Sequence, residues 1–241
     1  MEEKEYYADK TMITNSMLGR LKKSPQHLQM YFDGEKEETQ ALNFGSAFHL
    51  AILEPEKAEE EVVVYEGKTR RGKEWEAFKE ENQGKIILNT SEAKDIEGMR
   101  IAITNNEEVM DIIRQSDKEQ IAKWTDEDTG VNCKGRADMV GKNFVADLKT
   151  TQNGEVDAFR YSCLKYGYNR QAAFYMDGFR KKNFYFICVE KSAPYRVSLL
   201  DTSDGFVASG RVEYKHLLET YSHYFIENPN EIEEFIIKGE L

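Results

Sequence analysis

One hairpin constrains this chain more than any other stretch. Gly135-Arg136-Ala137-Asp138-Met139-Val140 and Phe144-Val145-Ala146-Asp147-Leu148-Lys149-Thr150 are two apolar-rich runs joined by Gly141-Lys142-Asn143, the pattern of two antiparallel strands and a tight turn. Side chains alternate along a strand, so Asp147 and Lys149 share a face. A turn centred on Lys142-Asn143 sets Asp138 opposite Asp147 on that same face. Directly opposed like charges destabilise a sheet, so a positive group belongs between them. Lys149 is one candidate. A hard divalent cation is the better one, because carboxylate oxygens suit Mg²⁺ or Mn²⁺.

Acid-x-Lys pairs arise by chance in a chain with 44 acidic and 33 basic residues, and most lie on solvated faces. Here the pair ends an apolar strand and another acid sits on the strand before it. Buried charge of that kind is rare without a job. Two acids and a lysine on one sheet face meet the needs of metal-assisted phosphodiester cleavage. The acids hold an ion that polarises the phosphate and activates water, and the lysine orients that water or stabilises developing charge.

Asp138 followed by Asp147-Leu148-Lys149 resembles the core of the PD-(D/E)xK nuclease superfamily. Phe44-Gly45-Ser46-Ala47-Phe48-His49 is similar to the Gly-x-x-x-His helix of its RecB-type branch, and Gln171-Ala172-Ala173-Phe174-Tyr175 to that branch's Gln-x-x-x-Tyr helix. The Ser24-Pro25 helix pair and the strand pair from Trp124 to Lys134 resemble the RecE-like phage exonuclease domains (the exodeoxyribonuclease VIII type). With these, the resemblance covers residues 10–225, and the motifs occur in the family's order.

The resemblance implies a metal bound by His49, Asp138, Asp147 and the Leu148 carbonyl, with Lys149 orienting the attacking water. It also implies that Gln171 and Tyr175 help position the scissile phosphate or the lysine. Read alone, His49 in an apolar helix is an ordinary core or cap residue. Gln171 and Tyr175 are ordinary positions four apart on one helix face. Glu119, at the start of the preceding strand, is a candidate extra acid or simply a solvated strand end. Arg136 is read as an ion-pair partner of its neighbours. Ser24, Thr150 and Thr151 are candidate phosphate contacts.

At 241 residues with four prolines and no linker or repeat, one α/β domain spanning 1–241 is expected, its acidic C-terminal end frayed. The expected architecture is a central mixed sheet flanked by helices. Helices are expected over 14–33 with a break at Ser24-Pro25, 41–53, 75–82, 91–102 capped by Ser91, 106–115, 155–163, 168–180 and 203–227. Strands are expected at 62–65, 86–88, 119–126, 130–140, 143–150, 184–189 and 195–199. No apolar run approaches the about 20 residues of a membrane span, and the acidic N-terminus lacks a signal-peptide pattern, so cytoplasmic residence is expected. Cys133, Cys163 and Cys188 are widely spaced, which predicts no disulfide framework and no zinc or iron–sulfur site.

A net charge of −11 argues against a nucleic-acid enzyme in general. The acids, however, concentrate at Glu35–Glu38, Glu54–Glu61 and Glu227–Glu240. Basic groups remain at Arg20–Lys23, Lys68–Arg71 and Arg180–Lys182, and local field rather than net charge attracts phosphate. There is no Gly-x-Ser-x-Gly elbow and no Walker loop, hence no serine-hydrolase signature and no ATP motor. The family likeness implies Mg²⁺-dependent 5′→3′ degradation of linear double-stranded DNA, leaving a 3′ single strand for an annealing recombinase. It further implies a homo-oligomeric ring of three or four subunits, with the aromatic C-terminal helix (Tyr214, Tyr221, Tyr224, Phe225) as one candidate interface. The alternatives are an endonuclease or single-strand-specific enzyme of the same superfamily, and a non-catalytic DNA-end-binding protein.

Overall fold

The computed structural model describes residues 3–34 and 40–236. In chain order the helices are α1 (Glu3–Ala8), α2 (Asn15–Leu21), α3 (Pro25–Phe32), α4 (Gln40–Leu53), α5 (Pro55–Glu61), α6 (Lys73–Glu81), α7 (Thr90–Thr104), α8 (Glu107–Arg114), α9 (Val156–Tyr166), α10 (Tyr168–Phe179) and α11 (Asp204–Tyr221). The strands are β1 (Val62–Tyr65), β2 (Ile86–Asn89), β3 (Asp117–Thr125), β4 (Asn132–Val140), β5 (Phe144–Thr151), β6 (Asn183–Glu190) and β7 (Val197–Asp201).

Five strands form the main sheet in the order β3-β4-β5-β6-β7, with β5 and β6 parallel and every other pair antiparallel. The parallel step requires a crossover, and α9 and α10 supply it. The expected mixed sheet flanked by helices is borne out. β1 and β2 pair in parallel as a separate two-stranded sheet.

Two apolar layers sandwich the main sheet. Val145, Phe184, Phe186 and Cys188 pack with α2, α3, α10 and α11, whereas Ala146, Leu148, Ile187 and Val189 pack with α4, α7 and α8. Strand alternation thus places Asp147 and Lys149 on the α10 face and the flanking Leu148 beneath α4.

Local chemistry explains the boundaries. Thr14 caps α2, and Ser24 caps α3 with Pro25 at its first position, which accounts for the break at Ser24-Pro25. Ser24 is therefore a buried cap that accepts from the His27 amide. The cap of α7 is Asn89, not Ser91: Asn89 and Glu92 form a capping box that starts the helix earlier. The expected helix over 203–227 ends as α-helix at Tyr221 and widens to a π-helix over Ser222–Glu227. A 3₁₀ turn follows at Pro229–Ile232, with Ile232 buried; the acidic end beyond residue 236 and the run Glu35–Glu38 lie outside the described residues. The six-residue α1 was not expected from the sequence. Lys134, 1 % exposed, donates to the Tyr6 and Asp9 carbonyls and fastens this segment against β4.

Candidate active site

The hairpin folds as its register demands. Met139 stands opposite Ala146 and Val140 opposite Val145, while the Gly141 amide donates to the Phe144 carbonyl at 2.9 Å to close the turn. Continued by one residue, this register sets Asp138 opposite Asp147. The ladder between the two strands stops at Met139–Ala146, however. There the Leu148 amide donates instead to Asp138 Oδ2 at 2.8 Å, so a side-chain carboxylate takes a ladder position. The site lies in this fork.

Asp138 and His49 form one half of it. His49 Nε2 lies 3.1 Å from Asp138 Oδ2 and 2.7 Å from the Leu148 carbonyl oxygen. Its Nδ1 lies 2.8 Å from the Gly45 carbonyl, four residues back on α4. Burial alone would depress the imidazole, but the Asp138 charge and hydrogen bond outweigh it and raise His49 to about 9. For Asp138, burial pushes upward, yet His49 prevails and holds the carboxyl below its usual range. An Nδ1–H fixed on a backbone carbonyl is the arrangement that leaves a neutral histidine's Nε2 free to ligate a metal.

Asp147 and Lys149 form the other half. Asp147 is 2 % exposed, and its Oδ1 accepts from Gln171 Nε2 at 2.6 Å. Lys149 Nζ stands 2.7 Å from Oδ2 and 4.7 Å from the centre of the Tyr168 ring. Despite that proximity, Oδ2 is buried without an aligned hydrogen bond. Burial, only partly offset by Lys149 and aggravated by Asp138, lifts the Asp147 carboxyl to about 6. Lys149 moves the other way: burial would lower it, but Asp147 and Tyr168 hold it above its ordinary value, so it carries a proton.

The structure thus brings His49, Asp138, Asp147, Leu148, Lys149 and Gln171 together. Tyr175 sits nearby on α10, with its ring against Gly135 of β4. A Cβ at Gly135 would stand only 3.0 Å from Tyr175 Cε1, which explains glycine there. Tyr175 and His49 both line a cavity of about 400 Å³. Glu119 lines it too, and its backbone is left-handed at φ 52°, a costly conformation for a non-glycine residue and one that clusters at functional sites. Burial and the Asp138 charge raise Glu119 to about 7. Arg136 is an ion-pair residue, as read from the sequence, and its partners include Glu119 at 2.6 Å and Glu54 at 3.6 Å. Tyr168, Glu54 and the Tyr6–Tyr7 pair escaped the sequence reading. Nothing in their spacing signals the site, because only the tertiary fold brings them to it.

Do these residues fit a divalent ion? Among the described residues, no three His, Cys, Asp or Glu side chains are gathered tightly enough to form a closed metal cage. The donor chemistry nevertheless fits: two carboxylates, an oriented imidazole and a backbone carbonyl converge, and one buried carboxylate oxygen lacks an aligned partner.

Comparison with known proteins gives the chain's family. Residues 14–230 match the family described as a PDDEXK-like domain of unknown function, DUF3799. No curated protein matches the chain. Among solved structures it is similar to a protein named "Putative exonuclease" from Eubacterium rectale. The TM-score is 0.64 at 16 % identity, over 100 % of this chain and 96 % of that one. It also matches an alkaline exonuclease (LHK-Exo) from Laribacter hongkongensis at a TM-score of 0.41 and 13 % identity, over 95 % and 99 % of the two chains. The superfamily resemblance carried by Asp138 and Asp147-Leu148-Lys149 is borne out: the chain belongs to the PDDEXK-like family DUF3799.

Proposed function

We propose that this protein is a metal-dependent nuclease that degrades linear double-stranded DNA from its ends. The observation that carries the reading is the fork at Asp138 and Asp147. In this family's frame, two opposed carboxylates, a histidine and a protonated lysine converge where a sheet ladder opens.

In this reading Asp138, Asp147, His49 Nε2 and the Leu148 carbonyl hold Mg²⁺, for which Mn²⁺ substitutes. When bound, the ion supplies Lewis-acid polarisation of the phosphate and a more acidic water. Gln171 holds the Asp147 carboxylate through Oδ1, while Oδ2 faces the Lys149 ammonium at 2.7 Å. Lys149 carries a proton, so its role is to orient the attacking water and neutralise developing charge rather than to accept a proton. Tyr175 walls the site beside β4.

Exonucleolytic action from 5′ to 3′, a 3′ single-stranded product, supply of that product to an annealing recombinase and a closed ring of three or four subunits all follow from the sequence resemblance. A ring would retain DNA by enclosure, which suits a chain without an ATP motor. The aromatic C-terminal helix is the weaker candidate for its interface. Tyr214 is buried and donates to Asp177 at 2.5 Å, and Tyr221 and Phe225 pack on the chain's own core.

The test is digestion of linear duplexes labelled at the 5′ or the 3′ end, beside a covalently closed circle, with Mg²⁺ and with EDTA. Early release of the 5′ label with the circle untouched is expected. Nicking or linearisation of the circle would replace this reading with an endonuclease. Binding without cleavage at any metal concentration would leave only an end-binding protein.

A further inference from the structure

Beyond Lys149 the end of the sheet opens into a second cavity, of about 240 Å³, separate from the one that His49 lines. Thr150, Thr151, Tyr168 and Lys191 are among its walls. Thr151 is already used: its hydroxyl donates to the Asn153 carbonyl at 2.8 Å and caps the turn. Thr150 and Lys191 are not. In the parallel register Thr150 stands beside Val189, so Thr150 and Lys191 project on the α4 face of the sheet, as Leu148 does. Thr150 is one strand repeat, about 6.6 Å, beyond Leu148, whose carbonyl contacts His49.

Lys191 is the unusual member. It is half-buried, with its amide tied to the Thr151 carbonyl at 2.9 Å, and its ammonium lies 5.3 Å from the centre of the Phe44 ring. No carboxylate or carbonyl among the described residues pairs with that ammonium. Its neighbour Glu190 is fully committed elsewhere, to Arg196 at 2.8 Å and to the Gly154 amide at 2.8 Å. Burial pulls the Lys191 amine below its ordinary value. The contact with the Phe44 ring face uses none of the ammonium's N–H donors, so they are left for an oxygen ligand. Arg70, by contrast, donates to Glu92 at 2.6 Å and to the Ile87 carbonyl at 2.9 Å, so it serves the fold.

We infer that Lys191 and Thr150, which share a sheet face and line one cavity, form a phosphodiester subsite that seats the phosphate neighbouring the one cut. This rests on the nuclease reading of the adjacent fork. The ligand is the backbone of one nucleic-acid strand: Lys191 supplies the point charge and Thr150 a hydroxyl donor from the same face of the sheet. A lysine suits this role because a flexible ammonium follows a phosphate without demanding one geometry.

The test is fluorescence anisotropy with a labelled twelve-nucleotide single-stranded DNA, in Ca²⁺, across about 50 to 200 mM salt. Lys191→Gln should weaken binding by about tenfold and flatten the plot of log K against log salt by about 0.7, the loss of one single-strand phosphate contact. Lys191→Arg should recover most of both, because it restores charge as well as volume. Unchanged affinity and slope in Lys191→Gln would overturn the subsite. So would a lower mass by light scattering in that variant, because it would make this face a contact between copies of the chain. Asp147→Asn separates the two claims. If Asp147→Asn cleaves DNA as well as wild type while Lys191→Gln shows the expected slope, the nuclease reading of the fork fails and the subsite stands. If Asp147→Asn is inactive and the Lys191→Gln slope is unchanged, the reverse holds.

Discussion

Two buried ionic clusters in this molecule are built from similar residues and behave differently. In the first, Arg170 of α10 is 4 % exposed and donates to Asn15 at 2.9 Å and to Glu213 at 2.7 Å, tying α2, α10 and α11 together. Burial would raise the Glu213 carboxyl, but Lys22 and Arg170 outweigh it and hold it below its usual range. Gly167 makes room for the guanidinium, since a Cβ there would lie 2.9 Å from it. In the second, the fork, the two acids are driven apart. Asp138 is held down by His49, Asp147 is pushed up to about 6, and Asp147 Oδ2 keeps no aligned donor. The first cluster stabilises the charged form of its acid, whereas the second splits two opposed acids to either side of their ordinary range, a pattern that clusters at functional sites.

The largest effect should come from the fork. Asp147→Asn and Lys149→Ala are each expected to lower the cleavage rate by about a thousandfold or more, the loss of several kcal/mol of transition-state stabilisation. Circular dichroism should show a folded chain. A folded variant that keeps a tenth of the wild-type rate would erase the distinction between the clusters. Arg170→Ala should do the opposite. Breaking this buried pair should cost about 3 kcal/mol, read as a lower urea midpoint, with cleavage per folded molecule preserved. A stability equal to wild type would show that the Arg170 cluster does not hold the helices.

His49→Ala probes the fork more gently. Metal affinity, measured by calorimetry, should fall by about tenfold or more, and excess Mg²⁺ should recover part of the activity. An unchanged affinity would remove His49 from the metal's surroundings. The smallest effect concerns Glu190, whose hydrogen bonds from Arg196 and the Gly154 amide hold it at about 2 against an ordinary 4.5. A depressed folded value stabilises above the unfolded pKa and is lost as pH falls through the folded one. The advantage of wild type over Glu190→Gln in urea unfolding should therefore be full at pH 7 and fade between about pH 4.5 and 2. An advantage that persists at pH 2 would mean the pairing is not electrostatic.

Much of the site was legible because a tight turn sets a register. Gly141 to Phe144 fixes Met139 opposite Ala146, and the opposition of Asp138 and Asp147 follows by counting. Helix starts at Thr14 and Ser24-Pro25 were legible for the same local reason, a side-chain oxygen before a periodic run. What escaped depends on distant contacts. Ser91 looked like a cap, yet Asn89 with Glu92 makes the stronger one two residues earlier. The sequence leaves Glu119 either an extra acid of the site or a solvated strand end, and nothing in its neighbours announces a left-handed backbone. The parallel pairing of β1 with β2 and the placement of Tyr168 against Lys149 arise only once the chain has folded.

The most direct test of the whole account is Mg²⁺-dependent cleavage of an end-labelled linear duplex by wild type and Asp147→Asn, side by side, with EDTA as control. The account predicts rapid release of label by wild type, none with EDTA, and none from the folded variant. Cleavage that survives EDTA, or that Asp147→Asn performs at the wild-type rate, would contradict it.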